Sequence, residues 1–352
     1  MNDRTRLGAA VVGTVALFVL VQLGALALVE PFQQAEYQAV EDPSDPANSA
    51  LFFAVLLVAT GVMLAVIKYE AEWLIRASVI GVSGMLTWYV LNAVVPGGAV
   101  AGVPLALLPI LAALGVIVGL IYHPEWYVID TAGVLMGAGA AGMFGISFGL
   151  LPAIAFLVVL AVYDAISVYK TKHMLTLADG VMGQKIPVLL VIPTSLSYSF
   201  REAGAGEEMT DDPTADGREV DRDTSGTEPD ADAPENETVT DGASGADNGV
   251  RDALFIGLGD AVMPTILVAS AAFFIPAEVA PGFDLPVVAM NLPALGAMVG
   301  TIVGLVILLR MVLEGRAHAG LPLLNGGAIA GYLLGALASG LTLMQAIGIH
   351  SF

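Results

Sequence analysis

"ALFIGLGDAVMPTILVASAAFFIPA", residues 253–277, carries one charged side chain, Asp260. An apolar stretch of this length, at 1.5 Å rise per residue, is long enough to cross the roughly 30 Å hydrocarbon core of a bilayer. An aspartate inside such a run costs roughly 2.5–3.5 kcal/mol on insertion scales, so it faces an interior and marks a site of function. The run therefore raises two questions together: how many others like it the chain contains, and what Asp260 meets.

The composition answers the first in outline. Of 352 residues, 57% are hydrophobic and only 13% charged, and the mean hydropathy is +0.81, a balance that excludes an ordinary soluble domain. Nine runs of spanning length are predicted, at 7–29, 50–67, 73–95, 103–122, 128–149, 151–169, 253–275, 286–309 and 321–347. The expected fold class is an all-α polytopic membrane protein with nine transmembrane helices. Pro152 divides the fifth run from the sixth, with a single bent helix as the alternative. The first run is too long for a signal-peptide core and reads as a retained helix.

Charge is distributed unevenly. Residues 202–252 hold 17 acidic residues against three arginines, which leaves −6 of the net −20 for the rest of the chain. This stretch has almost no large apolar residue, so it reads as a disordered acidic linker. All thirteen Lys and Arg fall on one side of the nine-span plan: Arg4, Arg6, Lys68, Arg76, seven in the loop after span six, Arg310 and Arg316. The positive-inside rule then expects a cytoplasmic N-terminus, a cytoplasmic acidic loop and an external C-terminus. Glycine recurs every four residues at Gly296, Gly300 and Gly304 and at Gly327, Gly331 and Gly335, as helix faces in close contact require. The chain has no cysteine, and its four histidines are scattered without an HExxH pair. Thiol and zinc-peptidase chemistry are thereby excluded, and no metal or organic cofactor is expected.

A second aspartate breaks the sixth run. Asp164, in "LAVYDAISVYKTKH" (160–173), precedes Lys170 by six residues, and Asp260 follows Arg251 by nine. The two spans run in opposite directions, so both carboxyls come to a similar depth and can face each other. Two carboxyls in a low-dielectric site share a proton, leaving one carboxylate to activate water and one acid to polarise a peptide carbonyl. Asp130 in "WYVID" is expected at the membrane interface beside His123 and Glu125, and is assigned no chemistry.

Tyr163–Asp164 and Gly257–Leu258–Gly259–Asp260 resemble the YD and GxGD motifs of the intramembrane aspartyl proteases, the family of presenilin and signal peptide peptidase. Pro322–Leu323–Leu324 is similar to that family's PAL motif at the start of the last helix, with Leu323 where the family has alanine. The resemblance implies a presenilin-like bundle in a multi-pass protein of the cell membrane. It also implies an intramembrane aspartic endopeptidase with Asp164 and Asp260 as catalytic residues. Tyr163, Gly257, Leu258, Gly259, Pro322, Leu323 and Leu324 would be supporting or substrate-binding. Helices one to six with the YD motif would occupy 1–175, the cytoplasmic loop with a short apolar segment (186–199) and the acidic linker 176–252, and helices seven to nine 253–352. The expected partners are transmembrane protein or peptide substrates, signal peptides among them, and the lipid bilayer. No nucleic-acid partner is expected, and no oligomeric state follows from the sequence.

A helical substrate hides its scissile carbonyl in hydrogen bonds and must unwind before attack. Within 186–199, Val188–Ile192 is expected to form an edge strand on which such a substrate pairs, with an interfacial anchor as the alternative. Of two other function classes, the residues close the first, a serine hydrolase, and leave the second open. Ser147 lies in a GxSxG match, "GISFG" (145–149), but inside an apolar run and without a nearby histidine base. An ion-coupled secondary transporter would also use buried aspartates and proline-broken helices, although no internal repeat is visible.

Overall fold

The computed structural model describes residues 3–40, 42–45, 47–69, 71–95, 98–100, 103–168, 189–193, 253–276, 278–280, 282–285, 288–313 and 319–349. The acidic linker 202–252 lies outside the described residues. The helices are α1 (Asp3–Gln34), α2 (Ala47–Lys68), α3 (Glu72–Val94), α4 (Leu108–Tyr122), α5 (Trp126–Ser147), α6 (Leu150–Ile166), α7 (Leu258–Phe274), α8 (Leu292–Leu313), α9 (Gly320–Ala338) and the short α10 (Leu343–Ala346). Three two-stranded antiparallel ribbons join them: β1 (Ala99–Val100) with β2 (Val103–Pro104), β3 (Leu189–Pro193) with β4 (Ala253–Gly257), and β5 (Gly282–Leu285) with β6 (Val288–Asn291). Among the described residues, seven helices are long and apolar enough to cross a membrane, and α6 and α7 are shorter apolar helices of 17 residues each. The chain is a mostly helical, membrane-embedded, multi-pass bundle.

Three runs drawn as helix from hydropathy begin as strand. Residues 253–257 pair with β3 as a strand, so α7 begins at Leu258 and Asp260 sits in its first turn rather than mid-helix. Likewise 288–291 form β6 before α8, and 103–104 form β2 before α4. An apolar run of four or five residues is equally compatible with a buried strand, and hydropathy alone does not separate the two. Between α5 and α6 only Phe148 and Gly149 intervene, with Pro152 in the first turn of α6, where its missing N–H breaks no helical bond. This answers the bent-helix alternative: the two are separate helices.

In lipid, helices associate through close packing and buried hydrogen bonds rather than through apolar burial alone. The α8–α9 seam is built from the two glycine rows, where a Cβ on Gly300 would fall 2.0 Å from the Gly327 carbonyl oxygen and one on Gly331 the same distance from that of Gly296. At the α5–α7 crossing, a Cβ on Gly145 would stand 2.3 Å from that of Ala269. Buried polar side chains tie elements together: Ser49 Oγ donates to the Pro152 carbonyl (2.7 Å), and Ser270 Oγ to that of Phe148 (2.8 Å). Ser147 ends α5 with its hydroxyl donating to the Met143 carbonyl and accepting the Ala39 N–H, a structural role at the end of the bundle away from Asp260.

Strand β3 lies within the apolar segment where an edge strand was expected, but it is not open on both sides. Its register against β4 pairs Leu189 with Gly257 and Pro193 with Ala253, and on its other edge the Val191 N–H donates to Asp130 Oδ1 at 2.7 Å. At Val191, therefore, β3 offers no free donor to an added strand. Asp130 itself is enclosed by protein. It is 7% exposed, and the backbone of β3 satisfies it.

Candidate active site

The sequence that leads into Asp260 changes secondary structure within four residues. Gly257 closes β4 with extended backbone (φ −60°, ψ 131°), and Leu258 opens α7 directly, which puts Asp260 at the third helical position. A carboxylate in a first turn faces the positive end of the helix dipole. Pro264, four residues on, has no N–H to bond the Asp260 carbonyl, so the turn bearing Asp260 lacks its usual i→i−4 tie. The Leu258 side chain is buried against α5, where its Cδ1 lies 3.2 Å from a Cβ placed on Gly137.

Asp164 lies near the other end of its helix, two residues before α6 ends, and is 5% exposed. It shares the inner face of α6 with Leu157 and Leu160, while Tyr163, one residue earlier, turns toward α2 and packs edge-on against Phe53 with ring centres 6.0 Å apart. Consecutive helical residues point about 100° apart, which is why the motif's two side chains part company. Tyr163 is the sequence-predicted residue that these contacts direct away from the carboxyls.

The third contributor is the start of α9. The first N–H groups of a helix have no partner within it, and here the Leu321 N–H donates to Asp164 Oδ2 at 3.1 Å. On the adjacent residue, a Cβ on Gly320 would lie 3.3 Å from Asp260 Oδ2, and one on Gly257 3.6 Å from the same oxygen. Consecutive Cα atoms are about 3.8 Å apart, so the two carboxyls converge on a single peptide step, Gly320–Leu321. Pro322 follows in the same first turn, where it removes one donor that would otherwise be unpaired. Leu323 packs by its backbone against α8, its carbonyl oxygen 2.4 Å from a Cβ placed on Gly304, and Leu324 is fully buried. Gly259 faces open space.

With this geometry in hand, the comparisons with known proteins are informative. The family described as "Signal-peptide peptidase, presenilin aspartyl protease" matches residues 15–341. The chain belongs to that family. Two solved structures of a presenilin-family intramembrane aspartate protease, in space groups C222 and P2, are similar along nearly the whole length. The first is 32% identical over 93% of this chain and 99% of that one, and the second 33% identical over 93% and 97%, each with a TM-score of 0.58. The comparison with curated proteins returned no match. As a member of the presenilin and signal-peptide peptidase family, the chain is an intramembrane aspartic endopeptidase, a hydrolase acting on membrane-protein substrates in a bilayer. The transporter reading is set aside on that ground.

Several residues near the pair carried no sequence signal. Gly320 and Leu321 contribute space and a backbone N–H, which leave no trace in residue type. Asn325, fully buried one turn beyond Leu321, ties α9 to α6 by donating to the Leu157 carbonyl at 3.0 Å. Only its polarity within an apolar helix could have drawn attention. A cavity of about 360 Å³ lined by Gln33, Glu36, Ile146 and Phe273 sits at the opposite end of α5 and α7, away from the carboxyls. Among the described residues, no three acidic or histidine side chains cluster as metal ligands would.

Proposed function

We propose that Asp164 and Asp260 are the catalytic pair and that they hydrolyse a peptide bond within or beside a substrate's transmembrane segment. The observation that carries this reading is the convergence of both carboxyls on the Gly320–Leu321 step. With one proton shared between them, the ionised member takes a proton from water as the water oxygen bonds to the scissile carbonyl carbon. The protonated member gives its proton to the carbonyl oxygen. As the diol collapses the C–N bond breaks, the proton taken from water passes to the leaving amine, and one diol hydroxyl returns a proton to the carboxylate that had protonated the carbonyl oxygen, restoring the shared proton. Leu321 N–H holds Asp164 in orientation, and Gly257 and Gly320 keep the space around Asp260 Oδ2 clear. Pro322, Leu323 and Leu324 set the helix start that presents the Leu321 N–H, and Leu258 and Gly259 lead the chain into Asp260.

The substrates are transmembrane proteins or membrane-inserted peptides, signal peptides included. The distribution of the thirteen basic residues supports a cytoplasmic N-terminus, a cytoplasmic 176–252 loop and an external C-terminus, with the pair toward the cytoplasmic side. Residues 1–175 and 253–352 then form the two membrane parts, joined by an acidic solvated linker. The test is reconstitution with a single-span substrate alongside Asp164→Ala and Asp260→Ala. Cleavage lost in both supports the pair, and cleavage kept in either one removes that residue from it.

A further inference from the structure

Asp130 is nearly as buried as Asp164, and the reaction just described does not use it. It lies in the second turn of α5, where a carboxyl among apolar neighbours is costly without a partner. Its partner is the backbone of β3: Oδ1 accepts the Val191 N–H at 2.7 Å, at the centre of the strand.

That bond selects a register. In an antiparallel pair, opposed residues alternate between those that exchange both backbone bonds and those that exchange none. An N–H aimed at α5 is not in the ladder, so Val191–Phe255 is a pair of the second kind, flanked by Leu190–Ile256 and Ile192–Leu254 of the first. A slip of one residue would turn each side chain of β3 to the opposite face and shift the pairing by about 3.3 Å. The fully buried Leu190 would lose its seat beside Gly133, where a Cβ would come 3.2 Å from Leu190 Cδ2. Gly133 and Gly137 also receive Leu258, the first residue of α7, so one face of α5 seats both the hairpin and the start of the helix bearing Asp260. No residue separates β4 from α7. The placement of β4 is therefore the placement of the Asp260 turn.

We propose that Asp130 is a positioning residue of the peptidase: by accepting the Val191 N–H it locks the β3–β4 register and so holds Asp260 opposite Asp164. This rests on the assignment of Asp260 to catalysis. The test uses the full chain in lipid with a single-span substrate, active sites being counted by titration with a hydroxyl-bearing peptide analogue of the diol intermediate. Asp130→Ala should lower kcat per titrated site by about tenfold or more with KM within about twofold, since a displaced carboxyl loses transition-state contact rather than substrate binding. Asp130→Asn keeps an acceptor and should recover the rate to within about threefold of the parent. Val191→Pro deletes the donor without removing a ladder bond, and should match Asp130→Ala, with the double variant no slower than either single.

A parental kcat per site in Asp130→Ala would overturn the proposal, as would an Asp130→Asn as slow as the alanine variant, or effects that multiply in the double variant. Fewer titratable sites with an unchanged rate at each would also overturn it, because that is a folding role. If Asp130→Ala does not fold, Val191→Pro decides alone: a full rate in it refutes the register lock. Failure of the underlying assignment would look different, with Asp260→Ala still cutting whatever the Asp130 variants do.

Discussion

Gly320→Ala adds one methyl group beside the carboxyl pair, and the structure shows where it goes. The new Cβ would stand 3.3 Å from Asp260 Oδ2, 3.4 Å from Leu308 Cδ2 and 3.6 Å from Asp260 Cγ. The first contact is tight enough that the carboxyl, rather than the helix, must give by a few tenths of an ångström. The backbone has no objection: Gly320 opens α9 and is not among the positive-φ glycines, so alanine is favoured there by about 0.4–1 kcal/mol through the unfolded chain. Turning the Asp260 side chain off its rotamer costs about 0.5–1.5 kcal/mol, which nearly cancels that gain. Stability should therefore change by less than about 1 kcal/mol, a shift in Tm of a few degrees at most for a chain this size. The rate should respond much more. A misplacement of about 1 Å in a reacting group costs on the order of a hundredfold, so a few tenths should lower kcat by roughly five- to twentyfold. Thermal unfolding and cleavage of a single-span substrate, measured on one purified preparation, check both. A stable Gly320→Ala enzyme with the parental kcat would refute the proposed link between Gly320, the Asp260 carboxyl and the rate.

Gly300→Ala should behave oppositely, because its Cβ would fall 2.0 Å from the backbone oxygen of Gly327 and neither helix can yield cheaply. The expected loss is at the upper end of the roughly 1–3 kcal/mol range for overpacking, read as a lowered Tm in detergent or lipid. Pro322→Ala adds an unpaired first-turn N–H and loosens the backbone that presents the Leu321 N–H to Asp164. Stability should move by under about 1 kcal/mol while kcat falls several-fold, and equal activity in a stable variant would remove Pro322 from the site. Deleting 207–247, a stretch with no apolar anchor, should leave peptide cleavage within about threefold of the parent while removing most of the net charge; a folded but inactive deletion would make the linker a functional part.

The sequence made the membrane bundle legible because spanning length can be read from runs of apolar residues, and both aspartates stood out as charges in such runs. It misjudged where α7 begins, since Ala253–Gly257 is as apolar as the helix that follows and only its pairing with Leu189–Pro193 makes it a strand. That pairing joins segments about sixty residues apart across the acidic stretch, a separation no local pattern reports. Asp130 was assigned no chemistry because its partner, the Val191 N–H, is a backbone group that sequence cannot flag. Gly320 and Leu321 were missed for the same reason: what they supply to Asp260 and Asp164 is an absent side chain and a main-chain donor. Tyr163 was read with Asp164 because the two resemble the family's YD motif, and helical geometry sends its ring to Phe53.

The most direct test of the central claim is Asp260→Asn, assayed for stability and peptide cleavage on the same purified sample. Asparagine keeps the size of the side chain that fits between Gly257 and Gly320 and removes an ionisable group from an apolar bundle, so the variant should fold at least as well as the parent. It cannot supply the carboxyl that water activation requires, so cleavage should vanish. A stable and inactive Asp260→Asn protein is the predicted result, and a stable protein that still cuts its substrate would contradict catalysis by the Asp164–Asp260 pair.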